Sequence, residues 1–479
     1  MAYADEVMEG IQMLVGDRLV SLGPETENVL REGGRLIGIP TDGSVLVIPA
    51  SVRSLVETSV TRATRAFTEL QLVPPERIDA FFRHFAGLIE DDSAFADVLE
   101  ANTRDVETAR TRGRAVGRLL ITPKMRADMA AGLRMWADLP LERLQRVDVV
   151  DHGEWVVESW RAPLGVVGFV FEGRPNVFAD AMGVLKSGNA VVFRIGSDAL
   201  GTARAIRDTI LQPALAKAGL PADCVGLIDS AEHAAGWALF GDTRLSLAVA
   251  RGSGSAVAQL GEVARQSGVP VSLHGTGGAW MIVGSRFDGT RLRSTVRHSL
   301  DRKVCNTLNT IVLTSHSRSE AFVELRKAFE SLDRTIKVHV HDPALGEALE
   351  GPDSIDVVVD EVDPGHEWEW DENPEVTVIL ASDVAEAVEL YNLESPQFVL
   401  SVVSDDESEV ELAWRTANAP FFGDGFTRWV DGQFALERPE LGLANWQNGR
   451  LLGRGGVLSG DGVHTVRLRV RQTDAGLHR

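Results

Sequence analysis

A chain of 479 residues with 44% apolar content can bury a large core and normally divides into more than one domain. Its 48 basic residues stand against 69 acidic ones, a net charge of −21 that repels nucleic acid and anionic membrane surfaces. An anionic ligand must then be drawn in by local arginine, lysine or backbone N–H groups working against the field of the whole molecule.

Two cysteines, Cys224 and Cys305, exclude a disulfide framework and a cysteine-rich zinc site, as fits a reducing cytoplasm. The start Met1-Ala2-Tyr3-Ala4-Asp5-Glu6 is acidic and lacks the apolar core of an export signal. No segment approaches the ~20 apolar residues that span a bilayer, so membrane insertion is not expected.

In chain order, residues 35–48 read as a hairpin around Asp42-Gly43. Residues 52–138 carry a helical period, with Ile78, Phe81, Phe82, Phe85, Leu88 and Ile89 on one face. Two β-like runs, 145–150 and 155–160, flank the turn Asp151-His152-Gly153-Glu154 and predict a second hairpin. Short apolar runs at 164–171, 190–193, 225–228 and 245–249 then alternate with helix-length stretches such as 199–219, the pattern of βα units around a parallel sheet. A second α/β set occupies 280–403, with strands predicted at 309–313, 376–380 and 398–403 and a helix at 319–331. Within it the acidic stretch 353–373 reads as a solvated surface segment, and near the end 464–470 alternates apolar and basic residues as a strand.

Several strand ends carry candidate chemistry. Phe171-Glu172-Gly173-Arg174-Pro175-Asn176 links an apolar strand to a small-residue helix at 179–185, a turn that aims side chains and free N–H groups above the sheet. Asn176 there is either an amide donor to a developing oxyanion or a helix N-cap. Arg194 closes the next strand, and Gly196, Ser197 and Asp198 follow at a helix start, which suits a phosphate-bearing ribose. Arg194 can face a 2′-phosphate, and Asp198 is close enough in sequence to oppose it. Arg251-Gly252-Ser253-Gly254-Ser255 is either a pyrophosphate or ribose contact or a flexible turn. The dinucleotide fingerprint G-x-G-x-x-G follows none of the strands.

Asp301-Arg302-Lys303-Val304-Cys305-Asn306-Thr307 places a cysteine beside two cations, which favour the reactive thiolate. The alternative is a buried cysteine acting as a small hydrophobe, which Cys224, between Asp223 and Val225, fits better. His274 in Leu273-His274-Gly275-Thr276-Gly277-Gly278 is a base or, on a loop, a structural donor. No histidine, cysteine or carboxylate cluster has metal-ligand spacing, so no metal is expected.

Read in order, five blocks resemble the γ-glutamyl phosphate reductases, the glutamate-5-semialdehyde dehydrogenases of proline biosynthesis in the aldehyde dehydrogenase superfamily. They are Pro163-Leu164-Gly165-Val166-Val167-Gly168, Arg174-Pro175-Asn176-Val177, Lys186-Ser187-Gly188-Asn189-Ala190, Val304-Cys305-Asn306, and Thr427-Arg428-Trp429 with Asp431-Gly432 and Glu440-Leu441-Gly442-Leu443. The resemblance runs over residues 63–470 and implies an aldehyde dehydrogenase-like α/β fold. Residues 56–142 and 161–272 would form a Rossmann-like cofactor domain, and 273–455 an α/β catalytic domain. Residues 143–160 and 456–479 would make a β oligomerisation element of a homodimer or homotetramer, with 1–55 as an N-terminal extension.

The resemblance assigns Cys305 as nucleophile and Asn176 to the oxyanion hole. It places Arg194, Gly196 and Ser197 at the adenosine ribose of NADP, and the strand-to-helix turn at Gly252 and Ser253 adds further candidate cofactor contacts by its own residues. By the wider superfamily pattern Glu372 holds the nicotinamide ribose, while Arg174, Thr427 and Arg428 fall on the substrate side.

The implied reaction is NADPH-dependent reduction of a small anionic acyl phosphate to an aldehyde through a cysteine thioester. Hydrolytic relatives need a glutamate to activate water where this chain reads Leu273-His274-Gly275, so phosphate rather than water is the expected acyl partner. The chain departs from the family's Tyr-Glu-Ser at Phe171-Glu172-Gly173 and from its Gly-Gly pair at Ile195-Gly196. A third departure, from the Glu-bearing segment after Cys-Asn, is Thr307-Leu308-Asn309. The substrate class is accordingly glutamyl 5-phosphate or a related activated carboxylate. An acyl-CoA-linked or hydrolytic aldehyde dehydrogenase is one rival and a non-catalytic relative another, although folding alone demands neither Cys305 nor Asn176.

Overall fold

The computed structural model describes residues 11–477 apart from 115, 141–142, 172, 276, 361–362, 431–434, 436, 438–439, 445, 448–449, 452–456 and 460–461. Contacts divide the chain into two units. One comprises Met1–Gly275, Glu437–Leu441 and Leu458–Arg479, and the other Thr276–Leu436 and Gly442–Val457.

In the first unit, Val166–Phe171 and Ala190–Ile195 are buried at every residue, as unbroken apolar runs are when a parallel strand is covered on both faces. They belong to a five-stranded parallel sheet in the spatial order Val271–His274, Leu245–Arg251, Val166–Phe171, Ala190–Ile195, Val225–Leu227. The chain enters the sheet in the middle, builds outward to Val225–Leu227, then returns to the other side of its first strand. The strand order therefore reverses beside Val166–Phe171, and a crevice opens at the carboxyl ends where the two directions part.

The helical layer consists of Ala50–Leu70, Pro75–Glu90, Asp92–Thr111 and Pro123–Asp138. Ala50–Leu70 buries Val52, Val56 and Val60 at four-residue spacing, which lays one stripe along the core. Asp91 caps the third helix by accepting from the N–H groups of Ser93 and Ala94, and Thr122 caps the fourth through Met125. The helix expected at 179–185 is instead two turns, Val177–Asp180 and Gly183–Lys186. Tertiary packing dictates the glycine there, since a Cβ on Gly183 would lie 2.2 Å from the indole of Trp136.

The hairpin of the N-terminal extension pairs Arg35–Ile39 with Ser44–Ile48, and Gly43 supplies the left-handed turn residue at φ +76°. Its Ile37, Ile39, Leu46 and Ile48 enter the same core as Ala235, Leu239, Leu260 and Val263, and Gln266 donates to the Gly38 carbonyl at 2.8 Å. The extension thus backs the helices His233–Phe240 and Gly254–Gln266.

Arg146–Asp151, Trp155–Pro163 and His464–Gln472 form a three-stranded antiparallel sheet. Val470, Val157 and Val150 stand opposite one another across it, on the face that also carries Val466 and Leu468. Leu468 is 70% exposed there. On the other face the buried Glu158 carboxylate accepts from Arg146 and from the Trp160 indole, each at 3.2 Å, beside Arg469 and Arg471.

The second unit is built on a seven-stranded parallel sheet. Its spatial order is Ile355–Val359, Ile336–Val340, Glu375–Ala381, Leu308–Thr314, Ala279–Val283, Val399–Val403, Phe421–Gly423. The acidic stretch 353–373 lies at the surface as expected, with only Ile355 and Trp370 buried among its described residues, and it also contains the strand Ile355–Val359 at the edge of the sheet. The stretch is also tied to the sheet. The Asn309 amide donates to the His366 carbonyl at 2.7 Å and accepts from the Trp368 N–H at 2.9 Å, while the Thr310 hydroxyl donates to the Pro364 carbonyl at 2.9 Å. Backbone groups outside the sheet ladder need partners, and these two side chains supply them. Among the described residues no helix is long and apolar enough to cross a membrane.

Candidate active site

At the reversal of strand order in the first unit lies a cavity of about 430 Å³. Phe171, Arg194, Gly196 and Ser197 line one side, and Arg251, Gly252 and Ser253 another. Among the described residues that line it are the arginines Arg114, Arg118, Arg174, Arg194 and Arg251, against one carboxylate, that of Asp198. In a chain of net charge −21 such a local excess is what an anionic ligand needs. The three strand-end segments picked out by sequence therefore converge, and Arg174, expected on the substrate side, stands with them.

Arg251-Gly252-Ser253 is not a loose connection. The Gly252 N–H donates to the His274 carbonyl at 3.2 Å, and Ser253 precedes the 13-residue helix Gly254–Gln266, whose first turn lines the cavity. The Gly173 position is explained by packing, since a Cβ there would lie 2.9 Å from Leu119. Arg194 is 6% exposed, and its Nη2 donates to the carbonyls of Ala231 and Glu232 at 3.2 and 3.1 Å. Burial lowers its pKa from the ordinary guanidinium value. Part of the guanidinium expected to face a 2′-phosphate is thus occupied in holding the entry to His233–Phe240.

Asn176 is half-buried and stands at the N-cap position of the helical turn Val177–Asp180, to which its side chain makes no cap bond. Its neighbour Glu172 lies outside the described residues, as do Thr276, Asp431 and Gly432. His274 is not on a loop: it is the last residue of the strand Val271–His274 and 6% exposed. Burial of this kind suits the structural role that sequence left open beside the catalytic one.

In the second unit Cys305 is half-buried on the turn that feeds the strand Leu308–Thr314. Many groups hold this turn. Thr307 accepts from the Val304 N–H at 2.9 Å and donates to the Arg302 carbonyl at 2.7 Å, and the Cys305 carbonyl accepts from the Gly278 N–H at 2.8 Å. Gly277 must lack a side chain, since its Cβ would lie 2.6 Å from the Cys305 carbonyl oxygen and 2.8 Å from its Cα. Thr427 and Arg428, expected against substrate, are buried and serve the same turn. Thr427 donates to the Asn306 carbonyl at 2.7 Å, and Arg428 pairs with Asp301.

Lys303 does not stand beside the thiol as an uncompensated cation. Its side chain is 4% exposed and pairs with Glu367 at 2.8 Å, and Glu367 also accepts from the Gly277 N–H at 2.6 Å. Glu372 is exposed, and its carbonyl accepts from Arg334. Sequence reasoning missed Glu367. The available signal was the alternation Glu367-Trp368-Glu369-Trp370, which puts every second side chain on an apolar face. Cys224 is fully buried, which pushes its thiol well above the ordinary range. Iodoacetamide is accordingly expected to alkylate Cys305 and spare Cys224 in the folded protein. Peptide mass spectrometry reads this directly, and comparable labelling of Cys224 would contradict the burial.

The aldehyde dehydrogenase family profile matches residues 39–343. The chain is 31% identical over 434 residues to the γ-glutamyl phosphate reductase of Bradyrhizobium diazoefficiens, covering 85% of this chain and 92% of that protein. To the enzyme of the same name from Roseiflexus castenholzii it is 34% identical over 262 residues, 53% of this chain and 60% of that one. Among solved structures, γ-glutamyl phosphate reductase from Thermotoga maritima superposes with a TM-score of 0.77 at 21% identity, covering 88% of this chain and 100% of that one. By these matches the chain belongs to the aldehyde dehydrogenase family, in its γ-glutamyl phosphate reductase branch, and is an oxidoreductase.

Proposed function

We propose that the protein reduces an acyl phosphate, glutamyl 5-phosphate or a related activated carboxylate, to an aldehyde with NADPH, through a thioester on Cys305. The observation that carries this reading is the thiol turn, where Gly277, Gly278, Thr307, Thr427 and Arg428 hold the segment around one half-buried cysteine. So dense a set of constraints on the turn that carries it is what a nucleophile of fixed direction requires.

The Cys305 thiolate attacks the carbonyl carbon, the carbon–oxygen bond to phosphate breaks, and inorganic phosphate leaves. The backbone N–H of Cys305 holds the oxyanion, and Asn176 takes the amide-donor role that its motif assigns. When bound, the nicotinamide supplies the hydride that reduces the thioester. The thiohemiacetal on Cys305 then collapses to aldehyde and thiolate. The first unit's cavity fits a dinucleotide in charge and position. Arg194, Gly196 and Ser197 would meet the adenosine ribose, and the start of Gly254–Gln266 behind Gly252 and Ser253 offers N–H groups to a pyrophosphate. Glu372 keeps the nicotinamide-ribose role only by sequence pattern.

The three-stranded sheet is the oligomerisation element of a homodimer or homotetramer in this reading. Val150, Val466, Leu468 and Val470, all exposed on one face, support it. A test of the reaction class is NADPH oxidation against a panel of acyl phosphates and the matching acyl-CoA thioesters. Turnover is expected with acyl phosphates, γ-glutamyl phosphate foremost. Turnover confined to acyl-CoA would replace this reading with the CoA-linked one.

A further inference from the structure

Within the first unit's cavity, Asp198 and Arg114 form a pair that the cofactor assignment does not use. Arg114 places one guanidinium nitrogen on both carboxylate oxygens of Asp198, and Arg112 stands 3.8 Å from the same carboxylate. Asp198 follows directly on Ser197, so this carboxylate lies where the ribose turn meets the cavity. It holds an arginine in a geometry that a phosphate oxygen pair also accepts.

Both members of the pair stand on a stapled frame. The helix Asp92–Thr111 ends at Gly113, whose φ of +68° bends the chain so that the Arg114 N–H returns to the Ala109 carbonyl at 3.0 Å. The segment beyond is pinned by Asn102, which donates to the Leu119 carbonyl at 2.8 Å and accepts from the Ile121 N–H at 2.9 Å. On the other side Asp105 accepts from both the N–H and the hydroxyl of Thr202, at 2.7 and 2.8 Å, and ties the same helix to the segment behind Asp198. The Arg114 side chain itself is 51% exposed, so it can change partner by rotation alone.

We propose that Arg114 is the residue by which this cavity distinguishes a 2′-phosphorylated nicotinamide dinucleotide from an unphosphorylated one, with Asp198 as the resident anion that the 2′-phosphate displaces. The inference rests on the reading of the cavity as the dinucleotide site. Arg194 is the less suitable reader, because its Nη2 is occupied by the Ala231 and Glu232 carbonyls. A ribose 2′-phosphate brings ~2 negative charges at neutral pH, against one on the carboxylate it replaces. An unphosphorylated ribose has nothing to offer Arg114 and leaves it on Asp198.

The experiment is calorimetric binding of NADPH, NADH and adenosine 2′,5′-bisphosphate to the full chain and to Arg114→Ala and Asp198→Asn. Arg114→Ala should weaken NADPH and the bisphosphate about 10- to 100-fold, the range of a hydrogen bond to a charged group, with NADH within about twofold. Asp198→Asn removes the competitor and should tighten NADPH and the bisphosphate while leaving NADH unchanged. An equal loss for NADPH and NADH in Arg114→Ala, or no loss for either, overturns the proposal. Wild-type protein that binds none of the three overturns the dinucleotide reading as well, whereas an NADPH preference that survives Arg114→Ala refutes the Arg114 assignment alone.

Discussion

Cys305→Ala is expected to lower turnover by on the order of 10⁴-fold or more, with Cys224→Ala near wild type in rate. The two cysteines differ in surroundings rather than in chemistry. Cys305 is half-buried on a turn whose neighbours are fixed by side chains from distant parts of its unit, whereas Cys224 is fully buried and its thiol is held protonated. Removal of the first deletes the atom that carries the acyl group, and no adjacent residue can take over: Asn306 is an amide and Val304 apolar. Removal of the second leaves a small void and should cost stability, about 1 kcal/mol, visible in thermal unfolding but not in kcat. The measurement is kcat/KM for both variants, with intact-protein mass after a single addition of acyl phosphate without reductant. Wild type should gain one acyl group and Cys305→Ala none. Appreciable turnover by Cys305→Ala would overturn the covalent mechanism.

The second large effect is expected in the direction of aldehyde oxidation, which should be nearly silent in phosphate-free buffer and switched on by phosphate or arsenate. A thioester resists water unless a base deprotonates the attacking molecule, whereas inorganic phosphate is already an anion at neutral pH. By the family resemblance, the segment that would carry a water-activating glutamate reads Leu273-His274-Gly275. Its imidazole, with an unperturbed pKa of ~6.5, is the one substitute base in that segment. His274 ends a strand and is 6% exposed, which favours the structural role over that of a base in contact with water. His274→Ala should therefore leave phosphate-dependent oxidation standing. Full-rate oxidation without phosphate that disappears in His274→Ala would make the protein a hydrolytic dehydrogenase.

How far the site was legible depends on the kind of residue. Cys305, Asn176, Arg194, Gly196, Ser197, Gly252 and Ser253 could be proposed from the chain because each sits in a motif of adjacent residues, Cys305 beside two cations and the others where a strand gives way to a helix, and adjacency is visible in one dimension. Glu367, Asp198 and Arg114 matter through partners far away: Glu367 through Lys303 and Gly277, Asp198 through an arginine 84 residues earlier. Thr427 and Arg428 were located by motif, but their part in bracing the cysteine turn appears only with Asn306 and Asp301 beside them.

By itself the sequence determined the alternation of buried strands and amphipathic helices, the division between helical layer and sheet, and both hairpins, because side-chain period and turn chemistry are local properties of a chain. It also determined the family, through blocks short enough to be read in order. Tertiary structure alone decided that the first strand lies in the middle of its sheet, and hence where the crevice opens. It also decided that the acidic stretch supplies an edge strand and is tied to the sheet through Asn309 and Thr310, and that Arg194 is partly consumed by backbone carbonyls while Arg114 reaches Asp198. In each case the deciding quantity is the partner available to a buried polar group or a charge. That partner is set by which segments pack together, a relation that no local period encodes.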